Sequence, residues 1–123
     1  MKLKEISDYY GSEFVPALYD EIIRLAKERP LFIYFVDKNI GLPDKACFYN
    51  RGMKHGPVCD GCLIGQALQR LGWDDQTEMD FYGPVDELFL KYVGNGIVTQ
   101  PLFCKIQRAQ ELQDSGKPWG ECI

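Results

Sequence analysis

The sequence predicts an α+β fold: about four helices packed on a small two-stranded antiparallel hairpin. Three observations predict it. Four segments carry apolar residues at helical spacing. Two short segments rich in aromatic and β-branched residues fall between the first and second of these. Glycine or proline stands at most of the boundaries.

The first helix is expected from about Pro16, a residue suited to the first helical position because the N–H it lacks has no partner there. Leu18, Ile22 and Leu25 follow at i, i+4 and i+7. Arg29-Pro30 ends the helix, because the residue before proline avoids the α region. Leu31 to Val36 reads as one strand and Ala46 to Asn50 as its hairpin partner. A second helix is expected over about Gly61 to Leu71, with Asp60 as N-cap, an apolar face of Ile64, Ala67, Leu68 and Leu71, and Gly72 as terminator. Pro84 opens a third through Val93, with Val85, Leu88, Phe89 and Val93 inward. A fourth begins near Pro101 and ends at Gly116, with Pro118 just beyond.

At 123 residues the chain is one domain. A chain of this size buries roughly 65% of its unfolded surface, enough for its own core. Hydrophobic residues are 46% and charged residues 26% of the chain, an ordinary globular balance. Residues 1–12 show no strong element and are expected to be loosely ordered. No apolar run has the length of a membrane span, and no secretory signal is evident, so a cytoplasmic location and reduced thiols are expected.

The net charge of −4 is unevenly spread. Six acids and no base lie between Gly72 and Leu90, whereas five bases and three acids lie between Asp37 and Leu71. The acidic block suits a solvated loop and a helix N-terminus, where acids complement the dipole. No basic stripe points to nucleic acid.

Chemistry, if the chain has any, concentrates between Cys47 and Gly72. This stretch holds three of the five cysteines and the one histidine. Cys59-x-x-Cys62 has chelating spacing, and His55 and Cys47 complete a candidate Cys3His zinc set. The competing reading packs Cys47 and Cys62 as small hydrophobes. Helical geometry places Cys62 about 160° from Ile64, off the apolar face. In a helix's first turn a thiol is activated by unpaired N–H groups, so Cys62 is also a candidate nucleophile, with His55 as the available base. No third residue can be picked out to orient that histidine, and an activity based on Cys62 stays an alternative. Cys104 lies opposite Ile106 on the last helix, and Cys122 lies in the tail.

The last helix has an unusual face. Gln110 and Gln113 share the arc of Leu102, Phe103, Ile106 and Ala109. Buried amides must be hydrogen-bonded, so these two are expected to hold backbone groups, with the Gly116–Gly120 tail as the nearest candidate. Trp119 either folds back onto the core or, if exposed, marks a partner site. Arg51 and Lys54, on the glycine- and proline-bearing loop from Arg51 to Asp60, are further candidate interaction residues.

Three stretches, in order, carry a likeness: Arg29-Pro-Leu-Phe-Ile-Tyr34; Cys47-Phe-Tyr with Cys62-Leu-Ile-Gly-Gln-Ala-Leu-Gln-Arg-Leu-Gly72; and Ala109-Gln-Glu-Leu-Gln-Asp-Ser-Gly-Lys-Pro-Trp-Gly-Glu121. Together they resemble a group of small, largely uncharacterised proteins of actinobacteria and their phages, mycobacteriophages included. The resemblance implies no established activity. It implies that Cys47 and Cys62 are the recurring cysteines and that His55, Cys59 and Cys122 are departures, which weighs against zinc. It also implies a cytoplasmic accessory protein that binds a host or phage protein. The expectation is therefore a non-enzymatic binding protein without cofactor, a monomer or homodimer. A zinc-stabilised module and a Cys62-dependent enzyme are the alternatives.

Overall fold

The computed structural model describes residues 1–34, 49, 62–74 and 83–123. Among these residues the fold is helical and contains no strand. Its helices are α1 (Leu3–Tyr10), α2 (Phe14–Glu28), α3 (Leu63–Arg70), α4 (Val85–Tyr92) and α5 (Phe103–Asp114). A 3-10 turn at Gly11–Glu13 joins α1 to α2, and a second at Trp119–Glu121 closes the chain.

The expected hairpin is thus overturned. Where its first strand is described, residues 31 to 34 run irregularly. The Phe32 N–H turns back to the Arg29 carbonyl at 3.1 Å. The carbonyls of Pro30 and Phe32 accept from the N–H groups of Gly120 and Trp119, at 2.9 and 2.8 Å. The backbone that would join a sheet is therefore bonded to the C-terminal turn. Aromatic richness has its source in packing: Phe32 meets Trp119 edge-on, with ring centroids 4.5 Å apart. Of the second expected strand only Tyr49 is described, outside any strand and fully buried. The remaining residues of both strands lie outside the described ones.

The N-terminus also differs from expectation. Residues 3 to 10 form a helix whose Leu3 and Ile6 are fully buried. The Glu5 carboxylate accepts the Lys2 N–H at 3.1 Å, and Lys4 pairs with Asp8 at 2.7 Å, one turn on. The Met1 carbonyl accepts the Asp74 N–H at 2.8 Å, tying this helix to the segment after α3.

Helix α2 is the centre of the bundle, in contact with α1, α3, α5 and the C-terminal turn. It starts two residues ahead of Pro16, placing proline inside the first turn. That is equally tolerated, because the first four N–H groups of a helix have no intrahelical acceptor. Leu18, Ile22 and Leu25 are buried at the spacing the sequence shows. Phe89 of α4 stands edge-on between Phe14 of α2 and Phe103 of α5, each pair 5.8 Å apart, and so links three helices through one aromatic row.

Candidate functional site

The predicted reactive residue stands at the N-terminus of α3. Cys62 is its N-cap, with φ −74° and ψ 177°, so the cap is not Asp60, which lies outside the described residues. The extended backbone at Cys62 also removes the premise that set it off the apolar face. Helical rotation does not apply to a residue outside the helix, and Cys62 is fully buried within the core. The remaining candidate zinc ligands, Cys47, His55 and Cys59, lie outside the described residues, as do Arg51 and Lys54.

Neither α3 nor α4 is capped by its own N-cap side chain. Cys62 makes no cap bond, and Pro84, which precedes α4, has no side-chain acceptor. Two glutamines of α5 do the work in trans. Gln113 Oε1 accepts the first N–H of α3, from Leu63, at 2.7 Å. Gln110 Oε1 accepts the first N–H of α4, from Val85, also at 2.7 Å. The Gln110 Nε2 donates to the Gly83 carbonyl at 3.0 Å and to the Tyr49 hydroxyl, which itself donates to the Gly83 carbonyl at 2.7 Å. Gln113 Nε2 donates to Asp114 Oδ1 at 3.1 Å.

Gln113 is 1% exposed and Gln110 5%, so both amides are deeply buried. The backbone they hold belongs to the N-termini of α3 and α4, not to the tail as the sequence suggested. One helical turn of α5 thereby fixes the ends of two other helices and the Tyr49 side chain. The arrangement has a chemical consequence. The leading N–H of α3, which could stabilise a thiolate or an anion at that terminus, is already engaged by Gln113.

Trp119 is fully buried: it folds back onto the core, the first of its two expected places, and the candidate interaction role that needed an exposed indole is corrected. The Arg29 guanidinium lies 4.0 Å from the Phe32 ring centroid and 5.4 Å from that of Trp119, over both rings. The buried Trp119 Nε1–H has no hydrogen-bond partner among the described residues. The indole is thus held by packing and by its own backbone N–H.

The other two described cysteines divide by exposure. Cys104 is exposed, with Sγ 3.1 Å from the Pro101 carbonyl. Cys122 is buried against the Pro118 carbonyl at 3.3 Å, and burial, then the nearby Glu121 and Asp114 carboxylates, push its thiol up to about 11.

What sequence reasoning missed is a surface beside the Trp119 clasp. Phe32 and Tyr34 are half-buried, whereas Leu31 is 85% and Ile33 52% exposed. Alternate side chains thus turn inward to the core and outward to solvent. The alternation was legible in the sequence, but a strand assignment assigns no face to solvent until its neighbours are known.

Among the described residues no group of three or more histidine, cysteine, aspartate or glutamate side chains is placed to hold a metal ion. No described helix is long and apolar enough to cross a membrane. The chain matches no protein-family model, no curated protein and no solved structure.

Proposed function

We propose that this protein acts by binding a partner protein, without catalysis, and that the contact is centred on Leu31 and Ile33. One observation carries the reading. Two large aliphatic side chains stand in solvent on a segment whose alternate residues are anchored to the core. Exposed leucine or isoleucine is commonplace singly, but two on a segment held from behind form a presented surface. The anchoring is tight: two backbone hydrogen bonds to the C-terminal turn and the Phe32–Trp119 ring contact fix the segment before any partner arrives. A surface fixed in advance loses little conformational entropy on binding. The resemblance of the tail to small proteins of actinobacteria and their phages agrees with an accessory role in which the partner is a host or phage protein.

The test is site-specific photo-crosslinking in living actinobacterial cells. A photoreactive residue is placed at position 31, at position 33 and, as a control, at the exposed Asp20 of α2. The expected result is one adduct shared by positions 31 and 33 and absent at position 20. No adduct, or the same adducts at all three positions, overturns the proposal. The double substitution Leu31→Asp with Ile33→Asp should abolish the adduct of a probe placed at Pro30. It should change unfolding free energy by no more than about 0.5 kcal/mol per site, because both side chains are exposed.

A further inference from the structure

We infer that a cavity between α1 and the chain following α4 binds a neutral, hydroxyl-rich small molecule of monosaccharide size. The cavity shares no residue with the contact surface at Leu31 and Ile33 and stands independently of it.

Its volume is about 430 Å³, within the range of small-molecule sites. Helix α1 gives it Lys4, Ser7 and Asp8, and the turn after α1 gives Gly11 and Ser12. The far wall comes from residues 93–100. Ser7 is the residue that points to a ligand. It is 9% exposed, yet its Oγ takes no hydrogen bond among the described residues. A hydroxyl so deeply placed is costly to leave unpaired. Its small remaining exposure opens on the cavity, where a ligand hydroxyl would complete it.

The lining then selects the ligand. Lys4 and Asp8 are the charged side chains that line the cavity, and they pair with each other at 2.7 Å. A net anion meets Asp8 and a net cation meets Lys4, so neither is favoured. The next charges along α1, its following turn and the last turn of α4 are Lys2 and Lys91 against Glu5 and Glu13, again in balance. No aromatic side chain lines the cavity, which removes the stacking surface a nucleobase uses. Hydrogen bonding of both signs is what the wall offers. The Ser7 and Ser12 hydroxyls donate and accept. Gln100 Nε2 donates to the Gly96 carbonyl at 3.4 Å, and its Oε1 remains to accept. Sugar and polyol hydroxyls are donor and acceptor at once and fit such a wall. Val93 and Ile97 supply an apolar strip for the C–H face of the same molecule.

Gly96 provides the cleanest way to close the site. A Cβ there would meet no atom within 4 Å, and its φ is not positive, so a side chain enters without backbone strain.

The experiment titrates the full chain, followed by two-dimensional amide NMR. D-Glucose, D-galactose and myo-inositol are the neutral probes; glucose 6-phosphate and glucosamine are the charged counterparts. At least one neutral probe should give saturable shifts at Ser7, Ser12 and residues 93–100 while leaving Leu31 and Ile33 unmoved. Its charged counterparts should bind several-fold more weakly. Ser7→Ala should weaken the neutral probe about five-fold, the worth of one hydrogen bond. The same variant should keep or raise the urea midpoint of the free protein, because it removes an unpaired hydroxyl and alanine is the better helix former. Gly96→Leu should abolish the shifts with the spectrum of the fold intact. No saturable shift with any neutral probe overturns the inference, as does equal or tighter binding of a charged counterpart. So does a Ser7→Ala variant that binds as the parent does, or one whose urea midpoint falls, since the hydroxyl would then hold a group of the protein itself.

Discussion

Gly65 of α3 lies so close to the backbone of Tyr49 that a Cβ there would stand 2.7 Å from the Tyr49 Cα. The obstacle is main chain, which cannot swing aside as a flexible side chain can. Gly65→Ala should cost about 3 kcal/mol in urea unfolding, although alanine is the better helix former by about 1 kcal/mol. A stabilised Gly65→Ala variant would show that Tyr49 and α3 do not meet in this way. The thiols sort at the same scale. Iodoacetamide at pH 8 should label Cys104 quickly and Cys62 and Cys122 slowly, as read by peptide mass spectrometry, since the first is exposed and the others are buried. The position of Cys62 was misjudged from the sequence for a definable reason: helical rotation was applied to a residue whose backbone is extended.

The helices depend on one another for their ends. Neither α3 nor α4 has a capping side chain of its own, and α5 supplies both through Gln110 and Gln113. Removing a buried acceptor leaves its donor unsatisfied, at about 1–3 kcal/mol. Gln113→Ala should lose that much and raise amide exchange at the start of α3 while leaving α4 protected. Gln110→Ala should do the reverse, and should also loosen the Tyr49 ring. Equal loss at both helices in each variant would argue against separate caps. The C-terminal turn is an element of the same kind. Gly120 sits against Pro30, where an added Cβ would stand 2.8 Å from the Pro30 Cβ and 2.9 Å from its carbonyl oxygen. Gly120→Ala should therefore detach the turn, cost about 1–3 kcal/mol and shift Trp119 fluorescence to the red. An unchanged emission maximum would count against the clasp. That sequence periodicity found α2, α3, α4 and α5 and passed over α1 has a simple cause. Leu3 and Ile6 are two positions in one eight-residue helix, too little period to register until their burial is seen.

For the whole molecule, the raised Cys122 thiol links fold to pH. Its value moves from 9.0 to about 11 on folding, so the folded chain holds that proton more tightly. The contribution is complete below pH 9 and is lost as pH rises through 11. Stability should fall across that window in the parent and fall less in Cys122→Ala, measured by urea unfolding at fixed salt. A parallel fall in both would remove Cys122 as the cause. At this scale the fold class itself is a correction: the chain is helical among the described residues, and the expected α+β hairpin is replaced by an irregular segment held by the C-terminal turn.

What the sequence determined alone is local. The positions of Pro30, Gly72, Pro84 and Pro118 bound the helices because proline and glycine act on the backbone they belong to. The i, i+3, i+4 spacing of Leu18, Ile22, Leu25, Ile64, Ala67 and Leu68 sets the buried faces. Even the need of Gln110 and Gln113 for partners is a property of their place on an apolar arc. Tertiary structure alone decided which partners those are. It also decided that Trp119 is interior, that Cys62 is a cap, and that Leu31 and Ile33 face outward. The physical reason is common to all four. Each is settled by a contact between residues far apart in the chain — 113 with 63, 110 with 85, 119 with 32 — and local periodicity carries no information about which distant segment will arrive.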